Sequence, residues 1–152
     1  MIKFLMVDDE IPSDEWDGKG NTPYVRYYRE AAQMDGELKI TAVSDFSIAK
    51  KMLNVAQVNF DVVSLDITMP FPGGDGTSMA KNGSRTGLVL LDIIIRRMHN
   101  LSVIILTNIS PDVLHKDIPS STGRIKKIVV LEKINTVPFT FVDKVKELAK
   151  IR

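Results

Sequence analysis

An α/β fold on an open parallel sheet is predicted by three features of this sequence. Five short apolar runs recur along the chain, amphipathic helical stretches separate them, and chemically capable polar residues close four of the runs. IKFLMV runs into Asp8 and Asp9, FDVVSL into Asp66, LSVIIL into Thr107, and IVVLE into Lys133. Runs rich in β-branched and large apolar residues suit strands buried on both faces, as parallel strands are. In such a sheet the ligand site lies beyond the carboxyl ends of the strands. Residues far apart in the chain are thereby expected to meet at one edge.

The elements follow in order. Residues 2–7 form the first strand, and 22–34 a helix with Tyr24, Tyr28 and Ala31 on one face. After a strand at 38–43, Ser44 or Asp45 can cap a helix over 45–57, where Ile48, Met52 and Val55 share a face. A strand at 60–65 precedes a helix at 87–98 with Leu88, Leu91, Ile95 and Met98 aligned. The fourth strand is 101–106, and Ser110 before Pro111 reads as the N-cap and first residue of a short helix. The fifth strand, 127–131, leads to a last helix at 138–151 carrying Phe141, Val145 and Leu148. This alternation makes right-handed parallel crossovers the default. With no internal repeat, and a chain ending directly after the fifth helix, 1–152 is read as a single domain with no appended output domain.

Composition narrows the function classes. A length of 152 residues suggests one domain with a real core, and 44% hydrophobic with 26% charged residues is ordinary for a soluble protein. The absence of cysteine excludes disulfides and thiolate metal sites. The N-terminus lacks the pattern of a signal peptide, and no apolar run approaches the roughly 20 residues that cross a bilayer. A cytoplasmic protein without membrane contact is the expectation. The net charge of +1 hides an uneven distribution: residues 1–76 carry 7 basic and 13 acidic side chains, and residues 77–152 carry 13 and 6. A doubly wound fold packs these halves side by side, so Arg96, Arg97, Lys126 and Lys127 are read as solvated positions and direct nucleic-acid binding is not expected. His99 and His115 are read as exposed or capping residues near helix ends.

Asp8, Asp9 and Asp66 would repel one another in one pocket, and a divalent cation with the Lys133 ammonium would relieve that repulsion. Carboxylate oxygens suit a hard cation such as Mg²⁺, and phosphoryl transfer asks mainly for positioning and charge stabilisation. Singly, each residue has a plainer explanation: a capping turn for Asp8 and Asp9, a solvated turn for Asp66, a strand-end cap for Thr107, a surface ammonium for Lys133. Their coincidence at strand ends points to a site.

V-D-D-E at 7–10, L-D-I-T-M-P at 65–70, L-T-N at 106–108 and L-E-K at 131–133 appear in order and nearly span the chain. With these pieces the sequence resembles the receiver domains of two-component response regulators. The resemblance implies a flavodoxin-like five-stranded sheet of order 2-1-3-4-5. It implies phosphorylation of Asp66 by a histidine kinase or histidine phosphotransfer protein, with an unknown downstream protein reading the result. It further implies Mg²⁺, or Mn²⁺, held directly by Asp9, by Asp8 through water, by Asp66 and by the backbone carbonyl of Thr68. Thr107 would bond the phosphoryl oxygen and Lys133 would pair with the acyl phosphate. Such a protein is a signalling domain that promotes its own aspartyl phosphorylation and dephosphorylation, rather than a conventional enzyme.

The chain departs from the family pattern at Leu131, where an aromatic residue is usual, at Ile134, where a proline is, and at Asn108, where a small residue is. It also has two long loops, over 11–23 and 67–87, with Trp16 and Phe71 as candidate docking anchors. One alternative is a degenerate receiver that serves as a protein-binding module without phosphorylation. Another is a phosphatase of the haloacid dehalogenase type, although V-D-D-E lacks the D-x-D which that family places after its first strand.

Overall fold

The structure, a computed structural model, describes residues 1–9, 23–67 and 86–152, with backbone alone at 23–26. Trp16, Thr68, Phe71 and most of the two long loops lie outside the described residues, as does the side chain of Tyr24. The strands are β1 (Ile2–Val7), β2 (Leu38–Val43), β3 (Val62–Leu65), β4 (Ser102–Thr107) and β5 (Lys127–Glu132). The helices are α1 (Pro23–Met34), α2 (Phe46–Leu53), α3 (Thr86–Arg96), the single-turn α4 (Pro111–Leu114) and α5 (Pro138–Ala149). All strand pairs are parallel, in the order β2-β1-β3-β4-β5.

Alternation along β1 shows how the sheet is covered. Leu5 and Val7 point into a core shared with Phe46, Ala49 and Leu53 of α2 and Leu90, Leu91 and Ile94 of α3. Phe4 and Met6 point the other way, into a core shared with Tyr28 and Ala32 of α1 and Phe141, Val145 and Leu148 of α5. The central runs are apolar at most positions because both of their faces are covered. On the α1–α5 side the Phe141 ring meets Phe4 edge-on at 5.7 Å and Tyr28 at 5.0 Å.

Several boundaries and faces differ from those read in the sequence. The third strand starts at Val62, because Asp61 turns its groups onto Lys3: its carboxylate accepts from the Lys3 amide at 2.7 Å, and its own amide donates to the Lys3 carbonyl at 2.8 Å. Helix α2 is capped by Asp45, which accepts from the Ile48 amide at 3.0 Å, and it stops at Leu53, short of Val55. Its buried face is Phe46, Ala49 and Leu53, one step around from the expected one, and Ile48 is exposed. Helix α3 likewise buries Leu90, Ile93 and Ile94 besides Leu91, and Met98 lies beyond its end, half-exposed. Ser110 does occupy the N-cap of α4, but its hydroxyl makes no capping bond.

Of the two readings of His99, exposed or capping, the structure gives the second. It is buried, with Nε2 2.7 Å from the carbonyl of Leu53, so the imidazole donates to an otherwise open end of α2. Beside it, Arg97 Nε donates to Asn54 Oδ1 at 2.8 Å. His115 is exposed at the C-cap of α4. Among the described residues, no helix is long and apolar enough to cross a membrane.

Candidate functional site

The strand order reverses direction between β1 and β3, the topological switch point of a doubly wound sheet. Asp8 continues β1 by one residue, its amide donating to the Val43 carbonyl at 3.0 Å. Asp66 continues β3 in the same way, its amide donating to the Val7 carbonyl at 2.9 Å. Both carboxylates therefore stand on rigid strand ends on either side of the switch point. Each is 1% exposed, whereas Asp9, one step further on, is more open.

One carboxylate oxygen from each of Asp8, Asp9 and Asp66 lies within 4.8 Å of the others. Lys133, at the end of β5, is 2% exposed and extends its ammonium into the same place. Its Nζ lies 3.0 Å from Asp8 Oδ2 and 3.6 Å from Asp66 Oδ2. Three carboxylates and one ammonium give these four residues a combined charge of −2 when ionised. Clustered hard oxygen donors with a −2 excess are what a divalent cation such as Mg²⁺ requires, so the residues present fit the ion. Asp8, Asp9 and Asp66 would hold it; Thr68, whose carbonyl the resemblance implied as a further ligand, lies outside the described residues.

Thr107 ends β4 at the same edge of the sheet, two residues past the Leu65–Ile105 pair, and is fully buried. Its hydroxyl accepts from the Ile109 amide at 3.1 Å, so it also shapes the turn that follows. Thus Asp8, Asp9, Asp66, Thr107 and Lys133 all stand at the carboxyl end of the sheet. Asn108 is exposed, and Leu131 is half-buried where it pairs with Leu106.

Two residues shape this site that the sequence did not connect with it. Gly87 packs its α-carbon onto the Asp66 strand end and donates its amide to the Ile67 carbonyl at 2.9 Å. A β-carbon there would lie 2.1 Å from the Asp66 carbonyl oxygen and 2.7 Å from the α-carbon of Ile67. A glycine one residue into an apolar helix, where it costs helix stability, is the signal that could have marked it. Tyr28, assigned only to a helix face, sends its hydroxyl to the carbonyl of Lys133 at 2.8 Å and to that of Thr136.

No family model and no curated protein matches the sequence. Solved structures do. A Francisella response-regulator receiver domain is 22% identical, with a TM-score of 0.61 over 99% of this chain and 98% of its own. A response regulator receiver protein from Sinorhizobium medicae is 18% identical, TM-score 0.61, over 97% and 94%. A CheY-like receiver domain protein from Methanospirillum hungatei is 16% identical, TM-score 0.59, over 98% and 94%. At these identities the likeness speaks to architecture, and it runs almost the full length of both partners. The chain has the flavodoxin-like fold of response-regulator receiver domains.

Proposed function

We propose that this chain is a phosphoacceptor receiver acting in the cytoplasm. Asp66 takes a phosphoryl group from the phosphohistidine of a histidine kinase or phosphotransfer protein, and a downstream protein reads the product. The observation that carries this reading is the convergence of Asp8, Asp9 and Asp66 within 4.8 Å, with the buried Lys133 ammonium 3.6 Å from Asp66, at the switch point of a receiver fold.

A carboxylate oxygen of Asp66 attacks phosphorus in line as the bond to the donor's imidazole nitrogen breaks. The electron pair of that bond leaves with the ring, which departs as neutral imidazole after taking up a proton. No base is needed, because a carboxylate is itself the nucleophile and the leaving group is good. The acyl phosphate adds roughly 1.5 to 2 negative charges, which Lys133 helps to balance and Thr107 is placed to meet with its hydroxyl. Mg²⁺ or Mn²⁺, when bound by Asp8, Asp9, Asp66 and the Thr68 carbonyl, supplies charge neutralisation for the phosphoryl oxygens. Hydrolysis of the acyl phosphate returns Asp66 to its free form and ends the signal.

Intact-mass analysis after incubation with Mg²⁺ and a small phosphodonor tests this. The wild type should gain one phosphoryl group and Asp66→Asn none. Equal labelling of both, or labelling of neither, would reject the proposal.

A further inference from the structure

The turn that carries Lys133 closes on a long bond and leaves two of its side chains in solvent. It is a single 3₁₀ turn, Lys133–Asn135, whose closing bond from the Thr136 amide to the Lys133 carbonyl is long at 3.4 Å. Ile134 is 71% exposed and Asn135 is exposed, so neither side chain anchors the turn in the core. Yet Lys133 must deliver a buried ammonium to within 3.0 Å of Asp8. Its backbone follows Glu132, which pairs with Thr107 in the sheet, so it is the turn beyond that pair that calls for a further anchor.

Tyr28 meets that need. Its ring is fully buried against Phe141, and its hydroxyl reaches the carbonyls of Lys133 and Thr136, the two ends of the turn. A phenol has one proton, so it is shared between two acceptors that both lie in a desolvated setting. Such a donor resists displacement by water, and its ring is held by packing on α5.

We propose that Tyr28 is a positioning residue for Lys133, fixing the ammonium over Asp8 and Asp66 and thereby setting the rate at which Asp66 is phosphorylated. The rate part rests on the function proposed above; the positional part does not.

Tyr28→Phe keeps the ring and removes only the hydroxyl. Two readouts apply to it, both on the full chain. In ¹⁵N-lysine-labelled protein, the Lys133 ammonium resonance (assigned by its loss in Lys133→Met) should shift or broaden. Labelling of Asp66 by a small phosphodonor with Mg²⁺ should slow about tenfold, the rate equivalent of one buried hydrogen bond. A merely structural tyrosine would lower the melting temperature and leave the ammonium resonance in place. An unchanged resonance overturns the inference, as does an unchanged labelling rate where the wild type is labelled. Failure of the wild type to be labelled would instead strike the function, and the resonance would still decide the role of Tyr28. Should Tyr28→Phe not fold, 3,5-difluorotyrosine at position 28 replaces it. The ammonium resonance should then move as the fluorinated phenol titrates, and constancy through that titration would overturn the inference.

Discussion

Replacing Lys133 by methionine keeps most of the apolar stem and removes the charge. In the structure that charge lies 3.0 Å from Asp8 and 3.6 Å from Asp66, with all three side chains almost fully buried. At an effective dielectric constant of about 20, each contact is worth about 5 kcal/mol before desolvation of the ammonium is subtracted. Removing one partner from a buried ionic set costs about 3–5 kcal/mol, because the remaining charges stay buried without their compensation. Lys133→Met should therefore lose about that much stability in chelator, measured by urea unfolding. A divalent cation changes the result in a specific direction. Without the ammonium the site is more negative, so the variant should bind Mg²⁺ more tightly than wild type. A tenfold gain in affinity would restore about 1.4 kcal/mol at saturating ion. The gap between variant and wild type should narrow when Mg²⁺ replaces chelator. A gap of equal size in both conditions would refute the idea that ammonium and cation compensate the same carboxylates.

Further outcomes follow from other parts of the fold. Gly87→Ala should destabilise by about 3 kcal/mol or more in denaturant unfolding, since its methyl group would meet backbone atoms at 2.1 and 2.7 Å. Met98 holds a left-handed conformation, φ 58°, at the end of α3, where its amide donates to Ile95 and the His99 amide to Ile94. Met98→Gly should therefore raise stability by about 0.5–1 kcal/mol in the same assay, the left-handed strain being relieved. The Glu37 amide and then Lys146 hold the Asp35 carboxyl below its usual range, while Glu37 and Asp35 push Lys146 above its own. The Asp35 contribution is present above the usual carboxylate range and is lost as pH falls through its lowered value. That of Lys146 is present below the usual lysine range and is lost as pH rises through its raised value. Lys146→Met should remove the alkaline loss and only part of the acid one, since the Glu37 amide still holds Asp35 low, and most visibly at low ionic strength; an unchanged alkaline limb would count against the Lys146 shift.

Much of the architecture was legible because central parallel strands buried on both faces leave mostly apolar runs, and because chemically capable polar residues then stand out at their ends. Asp8, Asp66, Thr107 and Lys133 could be located that way, since a strand end fixes both depth and direction. Helix faces were harder. In α2, apolar side chains at Phe46, Ile48, Ala49, Met52 and Leu53 admit two stripes one residue apart, and only packing against the sheet selects Phe46, Ala49 and Leu53. The burial of His99 was missed, although a capping role was read, because its partner, the Leu53 carbonyl, is a backbone group of another helix that no side-chain pattern records. Tyr28 fell within an apolar stripe, where the ring explains its place and the hydroxyl leaves no trace in the periodicity.

In the function proposed above, Asp66, among three neighbouring carboxylates, receives the phosphoryl group. An acyl phosphate is reduced by borohydride to an alcohol, which converts a phosphorylated aspartate to homoserine, whereas a free carboxylate is untouched. Protein labelled by a small phosphodonor with Mg²⁺, reduced and mapped by peptide mass spectrometry, should carry homoserine at position 66. Homoserine at position 8 or 9, or labelled protein with no reducible residue, would contradict the account.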